Sequence, residues 1–281
     1  MGAAKLHTMN TLYGDLIAEA LRDGMDWERV HITDSVSPAE VLGLAVGSQC
    51  AHVVQTKNPF FANDLNSVAL LAAQPSALVQ FPAAAILAPA NCDEKTNAGL
   101  TIFDQAFRAS REKSQLLQNV EATLEQRSIS GSLIADVIVI ADELVTNAMF
   151  NAPFVDLENT KPGAERKESI EMADGKSARL FLGADQNRLV VGCMDLFGTL
   201  NVNKLFKRIK NCYDTTLGDN INFSGSGGAG IGLYMVFNSS ASYFAEVKVG
   251  SYTIICCTVP LRMSSRARLN IAKNLHCISY K

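Results

Sequence analysis

The spacing of hydrophobic and polar residues changes repeatedly along the first hundred positions. Apolar residues three and four apart predict helices, and short continuous apolar runs predict strands. Helices are expected over residues 8–22, 38–46 and 63–73, and strands over residues 30–33, 51–55 and 78–87. The run Ser37-Pro38-Ala39-Glu40 has the sequence of a capping box and is expected to start the second helix. The alternation of the two element types predicts a small α/β unit.

The rest of the chain predicts a larger α/β unit. Helices are expected over residues 101–126, 133–149 and 201–213 and from about residue 230, and strands over residues 178–182, 189–194, 244–249 and 252–260. The first two of these strands are predicted to form a hairpin. We therefore predict an N-terminal α/β domain over residues 1–98, an α/β domain over residues 99–261 and a basic tail over residues 262–281. The tail is expected to begin with a short helix at Ser264 or Ser265.

The composition indicates a globular chain. Of its 281 residues, 48% are hydrophobic and 19% charged, so the chain can bury a core. The most apolar run, residues 77–90, is too short to span a bilayer, and the first residues lack the apolar core of a signal peptide. Seven cysteines without pairing rhythm or metal spacing favour free thiols in a reducing compartment, so we expect a cytoplasmic protein.

Charge is unevenly distributed along the chain. The net charge of −3 gives no reason to expect a nucleic-acid partner. Residues 1–99 carry five Lys/Arg against ten Asp/Glu, whereas residues 262–281 carry five basic residues and no acidic one. Such a basic tail is more often a solvated helix face than an interaction surface.

The polar residues of the predicted helix over 133–149 follow an unusual pattern. Glu143, Asn147 and Asn151 lie four residues apart, which places them on one helix face. Lys, Arg and Glu have better helix propensity than Asn, so solubility alone does not account for two amides in this register. Either this face meets a partner that needs a carboxylate and two amides, or the spacing is chance.

Two glycine-containing segments follow. Asp195 ends a predicted strand, and Gly198 lies three residues later; taken alone, this spacing is more often a simple turn. Residues 225–232 contain five glycines directly before an apolar helical run. The amides of such a loop and the positive end of the helix dipole can bind an anion. Neither the Walker lysine nor a Rossmann frame accompanies these glycines.

Together, the three motifs resemble the ATP-binding fold of the GHKL superfamily, which includes histidine kinases, type II topoisomerases and mismatch-repair ATPases. Their order is Glu-x-x-x-Asn on a helix, Asp-x-x-Gly after a strand and Gly-x-Gly-x-Gly-Leu before a helix. The run DELVTNA at residues 142–148 is most similar to that of bacterial anti-sigma-factor serine/threonine kinases, with Asn151 where histidine is usual. The resemblance covers about residues 101–261 and implies an α/β sandwich whose mixed sheet is covered by helices on one face.

The resemblance implies that residues of all three motifs bind Mg-ATP. Asn147 would be the Mg²⁺ ligand, and Glu143 would be the general base. Asp195 would accept a hydrogen bond from the adenine amino group, with support from Thr253. The remaining nucleotide-binding residues implied by the family pattern are Asn151, Gly198, Gly228, Gly230, Ile231 and Gly232.

The sequence departs from the family pattern in two places. The family commonly has Asp-x-Gly-x-Gly, but residues 196–200 keep one glycine, which bears on turnover more than on binding. No helix with a phosphoacceptor histidine precedes the ATP-binding segment, so autophosphorylation on histidine is not expected. Four basic residues after Gly198 are candidates for a phosphate-contacting cation: Lys204, Lys207, Arg208 and Lys210.

Three functions agree with these motifs. The first is a serine/threonine protein kinase whose client is an anti-sigma antagonist or a sigma-like regulator. The second is a nucleotide-sensing interaction module that changes partners with ATP or ADP but does little chemistry. The third is a histidine-kinase-like component with its phosphoacceptor on another chain. In each case the N-terminal domain is interpreted as regulatory or dimer-forming.

Overall fold

The chain folds around one mixed sheet. The computed structural model describes residues 29–34, 36–46, 51–152, 170–214 and 229–280, with residues 151 and 229–231 described by their backbone alone. The predicted helix over residues 8–22 lies outside this part. The strands are β1 Val30–Thr33, β2 His52–Gln55, β3 Thr101–Phe107, β4 Ala178–Ala184, β5 Arg188–Asp195, β6 Ser242–Lys248, β7 Tyr252–Pro260 and β8 Asn274–Tyr280. Their order across the sheet is β1-β2-β8-β6-β7-β5-β4-β3, which confirms the predicted α/β class.

Strand β8, which comes last in the sequence, lies between β2 and β6 in the sheet. It pairs antiparallel with β2 and parallel with β6, while β1 and β2 are parallel. Strands β3, β4, β5, β7 and β6 form an antiparallel run. As a result, the segments predicted as N-terminal domain, larger α/β domain and tail contribute neighbouring strands to one sheet.

Helices pack on both faces of the sheet. They are α1 Pro38–Ala45, α2 Phe61–Ala73, α3 Ala77–Gln80, α4 Pro82–Leu87, α5 Glu94–Leu100, α6 Lys113–Gln126, α7 Gly131–Thr146, α8 Val202–Asp214, α9 Ala229–Ser239 and α10 Ser265–Leu269. The larger core lies under α1, α6, α7, α8 and α9. Helices α2, α3 and α4 cover a second core on the opposite face, where the resemblance implied no helices. Strand β7 is buried along its whole length because both cores use its side chains.

The prediction of a strand over residues 78–87 is wrong, because this segment forms helices α3 and α4. Every residue of α4 is buried, so its pattern lacks the polar positions that reveal helical periodicity. Its close approach to the sheet depends on Gly183, where a Cβ would lie 2.6 Å from the Ala83 Cβ. Small residues on both sides therefore let the helix rest on the strands.

The helix predicted over residues 101–126 is wrong in its first third. Residues Thr101–Phe107 form the edge strand β3, which pairs with β4, and the helix starts at Lys113. A short 3-10 turn, Ser110–Glu112, precedes it, and the Glu112 carboxylate caps the start of this turn by accepting hydrogen bonds from the Arg108 and Ala109 amides at 2.6 and 2.8 Å. Pairing with β4 thus outweighs the local helical spacing.

The basic tail is only partly solvated. Its short helix α10 begins after Ser264, which accepts a hydrogen bond from the Ala267 amide as an N-cap, as predicted. Arg268 and Lys273 are each 1% exposed. Lys273 Nζ donates to the carbonyls of Asn238, Ser240 and Arg268 at 2.6–2.9 Å, and burial lowers its pKa to about 7. These contacts hold the end of α9 against the tail.

Candidate functional site

A cavity of about 70 Å³ opens where α7 and α9 meet strands β5 and β7. It brings together Asn147, Asp195 and Thr253, three of the residues that the sequence predicted. The apolar part of its wall is made by Leu144, Ala148, Cys193, Leu200, Leu233 and Ile255. A cavity for one buried water has roughly 10–15 Å³, so this cavity has room for a small ligand group. Two polar ends joined by an apolar wall are typical of a site for such a ligand.

Asp195 forms one polar end of the cavity. It is the last residue of β5, pairs with Thr253 of β7 and is 7% exposed. Burial raises the pKa of its carboxyl to about 6, against the opposing effects of the Phe197 and Gly198 amides and of Lys176. The Phe197 amide donates to Asp195 Oδ1 at 2.9 Å. The carboxylate is therefore partly desolvated and can still accept a further hydrogen bond.

Thr253 adds a buried hydroxyl at the same end. The side chain is 3% exposed. Its hydroxyl donates toward the Asp195 carboxylate and so lowers the pKa of that carboxyl, although the contact falls short of a hydrogen bond of normal length and angle. The hydroxyl oxygen can still accept a hydrogen bond from a bound ligand.

Asn147 forms the other polar end. It follows α7 and opens a π-helical turn, Asn147–Asn151, a local feature that is frequent at functional sites. Its Nδ2 donates to the Glu143 carbonyl at 2.6 Å. The amide oxygen Oδ1 is the acceptor atom of this side chain and the one that could hold a hard cation.

Glu143 contacts the start of α9. A Cβ added at Gly232 would overlap the Glu143 carboxylate, so the carboxylate lies directly against this glycine. Gly232 is in the first turn of α9, where the helix dipole attracts a negative charge. The structure thus brings the helix motif and the glycine motif of the sequence into direct contact.

The other residues predicted to bind the nucleotide do not line the cavity or lie outside what the structure describes. Gly228 lies outside the described residues, and the side chains of Asn151 and Ile231 are not described. Gly230 is the second residue of α9. Gly198 has φ +64°, and a Cβ there would overlap the Lys248 carbonyl oxygen and lie 2.6 Å from the Ser251 amide nitrogen. Its close approach is therefore to the turn between β6 and β7.

Two lysines support the site and were not predicted. Lys176 Nζ donates to the Leu196 carbonyl and lies 5.5 Å from the centre of the Phe197 ring. Lys113 Nζ lies 2.8 Å from Asp142 Oδ1 and donates to Thr146 Oγ1 at 2.7 Å, which fixes α6 against α7. The predicted hairpin could have revealed Lys176. Ala178 pairs with Asp195 across this hairpin, and Lys176 lies two residues before Ala178.

Comparisons with known proteins identify no family for this chain. No protein-family model matches the sequence, and no curated protein matches it. The resemblance to the GHKL fold therefore stays a prediction. None of the described helices is both long and apolar enough to cross a membrane. Within the described ranges, no three His, Cys, Asp or Glu side chains are grouped so that they could hold a metal.

Replacing Gly198 by Ala is expected to lower the free energy of unfolding by more than about 2 kcal/mol. The left-handed φ alone costs an L-residue about 1–2 kcal/mol, and the methyl group would also displace the turn after β6. Gly175→Ala is the matched control, because Gly175 has φ +77° and open space around a Cβ. Denaturant unfolding of both variants gives the comparison; equal losses would contradict the proposed steric role of Gly198.

Proposed function

We propose that this chain is a cytoplasmic signalling protein that binds Mg-ATP in the cavity and transfers the γ-phosphoryl group to a serine or threonine of a protein client. One observation carries the proposal. The cavity is lined by the Asp195 carboxylate, the buried Thr253 hydroxyl and Asn147, and Asn147 lies one helical turn from Glu143. These groups are the ones that recognition of adenine and chemistry on a phosphate require.

The Asp195 end suits adenine. Its carboxylate would accept a hydrogen bond from the exocyclic amino group, and the Thr253 hydroxyl would pair with a ring nitrogen or a bridging water. Guanine presents a carbonyl oxygen where adenine has its amino group, so two acceptors would face each other. Leaving these buried groups unpaired would weaken GTP binding. The apolar wall would contact the faces of the ring.

The Asn147 end suits a magnesium ion held mainly by phosphates. Mg²⁺ is commonly bound by one or two protein oxygens together with substrate phosphates and water, so a dedicated cluster of acidic ligands is not required. Asn147 Oδ1 would supply the protein ligand without adding negative charge beside the triphosphate. The bound ion would neutralise charge that develops on the phosphates. The amides of Gly228, Gly230 and Gly232 would hold the phosphate oxygens.

Glu143 would act on the client's hydroxyl. Its carboxylate would take the hydroxyl proton as the serine or threonine oxygen bonds to the γ-phosphorus. The bond from the γ-phosphorus to the bridging oxygen breaks in the same transfer, and ADP leaves. The products are the phosphorylated client, ADP and a protonated Glu143, which then returns its proton to water.

A second function is favoured by the position of Glu143. Its carboxylate rests against Gly232 at the start of α9. If this contact serves only to hold α9 against α7, the carboxylate takes no part in chemistry, and the protein is a nucleotide-sensing module that exchanges partners with ATP or ADP. ADP formation by the purified chain, through transfer of the phosphoryl group to water, would count against this second function.

Gly232→Ala tests whether this contact positions Glu143 for chemistry. The added methyl group must displace the Glu143 carboxylate, so we expect ADP formation to fall about tenfold to hundredfold. The fold should be kept, because only the flexible end of a side chain has to move and Ala favours a helix over Gly. Gly99→Ala in α5, where a Cβ meets nothing within 4 Å, is the control. Unchanged ADP formation by Gly232→Ala would contradict the positioning role, and no ADP from the wild type would favour the sensor.

A further inference from the structure

The exposed side of α8 carries a concentrated positive charge. Lys204, Lys207 and Arg208 are exposed and are spaced three and four residues apart, so their side chains lie on one helix face. The opposite face buries Leu205, Phe206 and Ile209 in the larger core. We call the three cations the α8 basic face.

These cations have no ion-pair partner among the described residues. On the same helix, Lys210 pairs with Asp214 at 2.5 Å. Elsewhere, Arg108, Arg111, Lys113, Arg179, Arg188 and Arg268 each pair with an acidic side chain, whereas described cations such as Arg262 and Arg266 do not, so it is the grouping of three unpaired cations on one helix face that sets α8 apart. Like charges at this spacing repel one another and destabilise a helix. An acidic partner would relieve that repulsion.

Helix α8 begins close to the cavity. Thr199 and Leu200 line the cavity, and α8 begins two residues later at Val202. Helix α8 is held against α9 by an edge-to-face contact of Tyr213 with Tyr234, whose ring centres are 4.8 Å apart. A protein segment bound along α8 would therefore extend toward the site where phosphate chemistry is proposed.

We propose that the α8 basic face binds an acidic segment of the protein client, next to the serine or threonine that receives the phosphoryl group. This inference rests on the proposed kinase function. The exposed side of α8 carries no large apolar side chain that would anchor a partner, so attraction between charges dominates. Such a contact forms fast, is weak and is screened by salt, as suits a substrate that must leave after each turnover.

Nucleic acid fits the same face less well. Single-stranded nucleic acid is typically held by aromatic side chains that stack on bases beside the cations. The aromatic residues of α8, Phe206 and Tyr213, instead pack into the protein against Tyr243, Phe237 and Tyr234. The chain as a whole is also acidic, with a net charge of −3.

The test is fluorescence anisotropy of the full chain with a labelled glutamate-rich peptide that contains one serine, without nucleotide. We expect binding that weakens as salt is added and falls about tenfold in Lys207→Glu/Arg208→Glu. Arg262→Glu/Arg266→Glu is the matched control, since it reverses two exposed arginines on the tail and makes the same change in net charge. No peptide binding, equal losses in both double variants, or preferential binding of an RNA oligonucleotide would each overturn the proposal.

ATP titration of the same variants separates this inference from the proposed function. We expect Lys207→Glu/Arg208→Glu to bind ATP as the wild type does. If its ATP affinity falls and that of the control does not, the α8 basic face contacts the nucleotide, and the client proposal is overturned while ATP binding stands. If the wild type binds the peptide but not ATP, the kinase function fails, and the α8 basic face remains only as a docking surface for acidic segments.

Discussion

Glu143→Gln is expected to reduce ADP formation by about 10²–10⁴-fold, the usual contribution of a general base. Glutamine keeps the shape of the side chain and its contact with Gly232, but it cannot take a proton from a hydroxyl or a water. ATP affinity should change little, because Asp195, Thr253 and Asn147 make the proposed contacts with the nucleotide. The expected effect is thus confined to the chemical step.

Asp142→Asn is the control for this variant. Asp142 precedes Glu143 in the chain, but its carboxylate pairs with Lys113 of α6. Losing this partly exposed ion pair should cost at most about 1 kcal/mol of stability and leave the rate nearly unchanged. The measurement is a coupled assay for ADP, with nucleotide affinity measured in parallel. Equal rates for Glu143→Gln and the wild type would remove Glu143 from the proposed mechanism.

Asp195→Asn is expected to weaken ATP binding about tenfold to hundredfold and to reduce the preference for ATP over GTP. The amide is a poorer acceptor for the adenine amino group than a carboxylate, and its NH₂ group can donate to the guanine oxygen. The same variant should be more stable than the wild type at pH 7. Burial makes the ionised Asp195 unfavourable in the folded protein, and the amide removes this cost.

The pH dependence gives a separate check on Asp195. Its folded pKa of about 6 lies above the ordinary 3.8, so between these values the folded state binds a proton more readily than the unfolded chain. Its contribution to stability therefore rises as the pH falls from about 6 toward 4, by at most about 3 kcal/mol. ATP affinity should fall over the same interval, since a protonated carboxyl no longer accepts in the same way. In Asp195→Asn both dependences should be reduced; an unchanged pH profile of ATP affinity would contradict the assigned role.

Hydrophobic periodicity correctly predicted the strands whose own residues carry a clear apolar pattern. Strand β7 was predicted with its observed bounds, and the hairpin of β4 and β5 was predicted to within a few residues. The errors have a common physical cause. Helix α4 is buried on all sides, and strand β3 obtains its conformation by pairing with β4, so neither segment carries its own signal. Likewise, β8 was not predicted because its position between β2 and β6 depends on residues far away in the sequence.

The sequence motifs predicted part of the candidate site. Asn147, Asp195 and Thr253 were selected from three separate segments, and they line one cavity. The contact of Glu143 with Gly232, the approach of Gly198 to the turn after β6 and the support by Lys113 could not be predicted. Each depends on the distance between elements that only the packed fold determines.

The most direct test of nucleotide recognition is a calorimetric titration of the full chain with ATP and with GTP, each with Mg²⁺, beside the same titrations of Asp195→Asn. We predict that the wild type binds ATP at least about tenfold more tightly than GTP, and that the variant loses most of this preference. No ATP binding by the wild type, or equal affinity for the two nucleotides, would contradict adenine recognition at Asp195 and with it the proposed function.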